Sequence, residues 1–180
     1  ELTDRTALQA SEFDLAEIAK RGANMFLQMI FRDGFYHADP HPGNLMVLQN
    51  SEIGLLDCGM VGRVDEELRE QIEDLLMAAI DRDSKRLQEC VVELGEVPTD
   101  FDRSMLQNDL VNFVDDYGGQ SIDEFDLSGS LNGMIEIIRK HHILLPSKVS
   151  LLIKMLVMLE GTAHQLSPNF NLIELLEPYR

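Results

Sequence analysis

Apolar residues recur at helical spacing along almost the whole chain and abandon that spacing once, between Gly34 and Arg63. Leu15, Ile18, Ala19, Gly22, Phe26, Met29 and Ile30 fall three or four residues apart, the signature of one buried helix face. Ser11 with Asp14 resembles a capping box at its start, and the stripe predicts a helix ending near Gly34. Gly22, which costs about 1 kcal/mol against alanine in a helix, predicts close approach of a neighbouring backbone. From Asp65 onward helical stripes return: Leu68, Ile72, Leu75, Leu76 and Ala79; Leu87, Val91 and Leu94 after Ser84; Leu106, Leu110 and Phe113 after Thr99; Leu131, Met134, Ile135 and Ile138. Residues 147–165 are apolar on nearly every side, which places that helix at the core of a bundle. "DDYGGQS" reads as a loop with a turn at Tyr117-Gly118-Gly119, and "SPNFNLIELLEPYR" as one short closing helix. Within the interruption, "NLMVL" and "IGLLD" flank the polar "QNSE" as two short strands. The expectation is a mainly α fold, a helical bundle with one small β-hairpin, in a single domain over residues 1–180.

Composition narrows the partners. The 180 residues carry 32 acidic and 15 basic side chains, a formal charge of −17. That field repels a nucleic-acid backbone, and no basic patch is gathered anywhere in the sequence to offset it. A cationic ligand or a divalent metal is its natural counterpart. Cys58 and Cys90 match no disulfide or zinc framework, consistent with a reducing compartment. The N-terminus lacks the basic and apolar character of a signal peptide. The apolar run at residues 151–159 is interrupted by Lys154 and falls short of the roughly 20 residues that span a bilayer, so the chain reads as soluble. It opens without an initiator methionine, which suggests a piece of a longer polypeptide.

The chemistry gathers in "FYHADPHPGNLMVL", residues 35–48, and in "LLDCGMVG" soon after. A helix delivers the chain to His37, Asp39 and Asn44, a hairpin comes next, and Asp57 sits at its far end, so two carboxylates and an amide can converge. Pro40 and Pro42 restrict the loop backbone and favour a fixed orientation of Asp39. Kinase-like phosphoryl transfer uses H-x-D-x-x-x-x-N and then D-x-G, and here Asn44 stands five residues after Asp39. Oxygen donors from Asn44 and Asp57 suit Mg²⁺. A competing reading makes His37, Asp39 and His41 an H-x-D-x-H zinc cluster; it lacks a fourth ligand and leaves Asn44 and Asp57 unexplained. A proline-bearing turn with idle polar residues would require every spacing to coincide.

"FYHADPHPGN" and "LLDCGMVG", with the flanks "IFRDG" and "LSPNFNL", resemble the UbiB/ADCK family of atypical kinase-like proteins. The resemblance covers most of the chain and implies a protein-kinase-like C-lobe. It puts Asp39 at the catalytic-base position and His37 at that of the loop histidine that supports backbone geometry. Asn44 and Asp57 fall at the metal positions, and with Gly59, the glycine after the metal-binding aspartate, they form the cofactor-binding set. The same resemblance implies ATP and Mg²⁺ as cofactors, and phosphotransfer or ATP hydrolysis by the complete protein. It also implies support of ubiquinone, other prenylquinone or lipid metabolism, with prenylquinone-like lipids or a membrane surface as partners, on the cytoplasmic or organellar matrix side.

Cys58 departs from the family's D-F-G by replacing a phenylalanine that packs between lobes, and its thiol reads as buried packing rather than a redox switch. The sequence has no Gly- or Ala-rich phosphate loop, no strand-borne nucleotide lysine and no K-x-G-Q element. The expectation is therefore an isolated C-lobe starting just past the hinge, holding half a site and turning over little ATP alone. Its uncovered apolar surface predicts self-association. His141, His142 and His164 read as helix-end residues that favour the dipole, and His41 has no assigned role. Two alternatives stay open: an aminoglycoside- or choline-type small-molecule phosphotransferase, which shares the loop pattern, and a non-catalytic scaffold that binds partners or lipids.

Overall fold

The computed structural model describes residues 2, 13–118 and 126–176. Among them six α-helices dominate: α1 (Leu15–Gln28), α2 (Glu66–Ile80), α3 (Ser84–Leu94), α4 (Arg103–Gly118), α5 (Leu127–Lys140) and α6 (Ser147–Leu166). The mainly α expectation holds. The expected hairpin forms as β2 (Leu45–Val47) against β3 (Ile53–Leu55). A second antiparallel pair joins it, β1 (Phe35–His37) with β4 (Val61–Arg63), in the register Tyr36↔Gly62. This pair leaves little trace in the sequence, because three-residue strands are too short to display a period of two.

Aspartates start the helices. Asp14 accepts from the Ala16 and Glu17 amides, Asp65 from Leu68, Asp83 from Lys85 and Arg86, Asp102 from Ser104 and Met105, and Asp126 from Gly129. Each satisfies amides that the first helical turn leaves open and sets a negative charge at the positive end of the dipole. Five of the 32 acidic side chains thus do local structural work. Asp14 caps α1; Ser11, expected to share that role, lies outside the described residues.

Contacts gather into two compact units, residues 1–64 with 151–180, and residues 65–150. A single domain was expected from the length and apolar content of the chain. In the first unit the buried side chains come from α1 (Ile18, Ala23, Phe26, Leu27), from Tyr36 and Leu45, from α6 (Met155, Leu159) and from Leu172. Helix α1 ends in a π-turn, Met29–Asp33, closed by Gly34 at φ 64°. A Cβ at Gly34 would stand 2.8 Å from the Val64 carbonyl oxygen, so this glycine serves both the left-handed turn and the close approach. Gly22 was expected to meet a neighbouring backbone, and instead the Ile53 side chain of β3 stands 3.1 Å from where its Cβ would be.

In the second unit Ala78, Leu87, Cys90, Val91, Leu106, Leu110, Met134, Ile138 and Ile143 form one buried cluster. Helix α4 runs through Gly118, where a loop was expected from "DDYGGQS". Tyr117 holds that last turn: its ring lies 4.9 Å from Phe113 and its hydroxyl donates to the Gly129 carbonyl at 3.1 Å. Gly119 and the rest of that stretch up to residue 125 lie outside the described residues. The closing segment contributes a 3₁₀ turn, Ile173–Leu175. No helix among the described residues is long and apolar enough to cross a membrane.

Candidate active site

Two segments build the site, residues 37–44 and 56–60, and hydrogen bonds lace them together. The Ala38 amide donates to the Met60 carbonyl at 2.9 Å, and the Leu56 amide to the Asn44 carbonyl at 2.8 Å. His37 supplies a third link. Its Nδ1 accepts from the Asp39 amide at 3.2 Å, which leaves Nε2 to carry the proton, and Nε2 lies 3.0 Å from the Asp57 carbonyl oxygen. The geometry thus selects the Nε2–H tautomer. The residue is 3% exposed, and its ring stands edge-on to Phe26 of α1, 6.3 Å between centroids. His37 therefore touches the backbone of both aspartates.

After β1 the chain turns sharply. His41, in extended conformation, caps the 3₁₀ turn Pro42–Asn44, its Nδ1 accepting from the Gly43 amide. Pro42 opens that turn where its missing N–H leaves nothing unpaired. The turn swings Asn44 back onto Asp39: Asn44 Nδ2 donates to Asp39 Oδ2 at 3.0 Å and to the Asp39 carbonyl at 3.2 Å. Two acceptors on Nδ2 fix the amide orientation, so Oδ1 is the face left for an incoming ligand.

Asp57 takes a left-handed backbone conformation, φ 45°, which aspartate tolerates better than most residues. Its Oδ1 accepts from the Gly59 amide at 3.1 Å. A Cβ at Gly59 would stand 3.0 Å from that same oxygen, so this glycine keeps the space around the carboxylate clear. Side chains of Asp39 and Asn44 are in direct contact, whereas Asp57 joins them through the backbone links of Leu56 and His37. Asp39 and Asn44 are partly buried; Asp57, Cys58 and Gly59 are exposed. The exposure of Cys58 corrects the expected buried thiol, because Asp57 and Gly59 turn this segment outward.

The donor set suits a hard cation. Asp39 and Asp57 each retain a carboxylate oxygen beyond the bonds above, and Asn44 retains its amide oxygen; such donors match Mg²⁺, which prefers oxygen and takes the rest of its shell from water and phosphate. The zinc reading fails. His37 spends both ring nitrogens and His41 spends Nδ1 on the backbone, and among the described residues no group of three His, Cys, Asp or Glu side chains is placed to hold a metal ion. Sequence reasoning missed one contact. The Thr162 hydroxyl donates to the Pro40 carbonyl at 3.0 Å from 122 residues away, and no local pattern marks it.

Comparison with known proteins shows the family. Residues 1–91 match the family described as the ABC1 atypical kinase-like domain, and residues 110–171 match the UbiB helical domain. An uncharacterized protein of Synechocystis sp. is 36% identical over 84% of this chain and 38% of its own length. A probable protein kinase UbiB of Shewanella piezotolerans is 30% identical over 99% of this chain and 33% of its own, and a Clostridium pasteurianum protein is 28% identical over 93% and 31%. The chain spans about a third of the length of these curated relatives.

Proposed function

The chain belongs to the ABC1 atypical kinase-like family, and from that premise we propose that the full-length protein performs ATP- and Mg²⁺-dependent phosphotransfer or ATP hydrolysis at the Asp39 loop. The observation that carries the reading is the pairing of Asn44 with Asp39 through the amide nitrogen, which leaves the amide oxygen for a cation. Asn44 and Asp57 hold the magnesium, and Gly59 keeps room beside it. When bound, the ion neutralises charge on the phosphate oxygens.

Asp39 accepts a proton from, or orients, the attacking hydroxyl or water. His37 supports it indirectly, since its ring ties the Asp39 amide to the Asp57 carbonyl and keeps both aspartates in one frame. The match to a UbiB helical domain over residues 110–171 favours this family over an aminoglycoside- or choline-type phosphotransferase. On the same ground the physiological role is support of prenylquinone or lipid metabolism at a membrane face.

Turnover tests the reading. Asp39→Asn in the full-length protein keeps the side-chain volume and removes the base. It is expected to lower Mg²⁺-dependent ATP turnover by about 10²- to 10⁴-fold while nucleotide still binds. Wild-type turnover in that variant would overturn the role of Asp39 as base, whereas normal function of the variant in the cell despite lost turnover would leave the non-catalytic scaffold as the better account.

A further inference from the structure

Asp39 is held from upstream by His37 and from its own side chain by Asn44. Its downstream neighbour, Pro40, is buried and has no N–H of its own to anchor it. The anchor comes from α6, where Thr162, 5% exposed, donates its hydroxyl to the Pro40 carbonyl at 3.0 Å. A helical threonine ordinarily returns its hydroxyl to a carbonyl of its own preceding turn; here the bond goes to the loop.

The contact belongs to a stripe. Met158, Gly161, Thr162 and Gln165, at helical spacing, face His41 and Pro42 across an open cavity of about 380 Å³. Thr162 and Pro40 are both buried, and the hydroxyl bond gives their contact a fixed direction one residue from the proposed base.

We propose that Thr162 is a positioning residue for the reaction: its hydroxyl, by fixing the Pro40 carbonyl, sets the backbone from which Asp39 meets the nucleophile. The proposal rests on the phosphotransfer reading above. It also gives the helical segment a part in the chemistry, since Thr162 lies within the UbiB helical match and Pro40 within the ABC1 match. Small displacements of a catalytic group are costly, on the order of 10²-fold for 1 Å, so loss of the tie should appear in kcat rather than in nucleotide affinity.

The test compares Thr162→Val, Thr162→Ala, Thr162→Ser and Gly161→Ala in the full-length protein, with kcat and KM for ATP measured well below each melting temperature. Valine keeps the shape without the hydroxyl, alanine removes both without crowding the loop, and serine restores the donor. Gly161→Ala is the control, because among the described residues nothing lies within 4 Å of a Cβ there. The expected result is a fall in kcat of about 10- to 100-fold for valine and alanine, with KM changed less than about twofold, and near wild-type values for serine and for the control. Wild-type kcat in Thr162→Val, an equal loss in Thr162→Ser, or an equal loss in Gly161→Ala overturns the role of Thr162 alone. Absence of Mg²⁺-dependent turnover in the wild type as well overturns the phosphotransfer reading and this role together.

Discussion

Tyr36 and Gly62 show how one residue pair sets a whole strand register. Tyr36 is fully buried, it faces Gly62 across the β1–β4 pair, and a Cβ at Gly62 would collide with the hydroxyl end of its ring. Gly62→Ala must displace the tyrosine or separate the strands, so we expect a loss of about 1–3 kcal/mol, read by denaturant unfolding; an unchanged midpoint would contradict the packing. The same pair explains what the sequence concealed. A glycine inside "GMVGR" reads as turn punctuation, and only the partner tyrosine, 26 positions earlier, shows that it is a clearance. The loop residues were legible for the opposite reason: Asp39 and Asn44 are close in sequence, so their spacing alone carries the geometry. Cys58 was expected to be a buried packing thiol, but Asp57 and Gly59 on either side turn its segment outward.

Helices α4 and α5 are clasped by a polar group that resembles a helix-end feature when read from sequence. His141 follows the last turn of α5, as its position suggested, but its Nε2 also stands 2.6 Å from Asp109 Oδ2 on α4, and Lys140 reaches the same carboxylate at 2.8 Å. Phe101 stands edge-on to the imidazole, whose side chain is 7% exposed. The Lys140 ammonium first, and His141 second, hold the Asp109 carboxyl below its usual range. At the cap of α2 the Leu68 amide first, then Lys148, do the same for Asp65. A carboxyl depressed in the folded state stabilises above its unfolded value, near 4, and that contribution is lost as pH falls through the depressed value. Stability should therefore decline on acidification below about pH 4. Asp109→Asn is expected to cost about 2 kcal/mol at neutral pH and to flatten part of that decline; an unaltered acid profile would contradict the clasp. Helix existence was readable because caps and stripes are local. Which helix Asp109 would meet was not, since that depends on tertiary packing.

At the scale of the molecule, the mainly α composition followed from periodicity, and the family followed from the loop. The division into two units did not, because apolar stripes record burial and not partners. Around the site Phe35, Met60 and Val61 are 47%, 44% and 41% exposed, an apolar surface on β1, β4 and the turn before β4. From it we predict self-association of the isolated 20.4 kDa chain: sedimentation at increasing concentration should show a rising mass, and a constant monomer would contradict it. The proposed chemistry depends above all on Asn44 and Asp57 holding magnesium against a nucleotide phosphate beside Asp39. Calorimetric titration of the full-length protein with ATP, with and without Mg²⁺, measures this most directly. Nucleotide binding is predicted to require the cation in the wild type and to weaken at least about tenfold, roughly 1.4 kcal/mol, in Asp57→Asn; binding indifferent to both the cation and the substitution would contradict it.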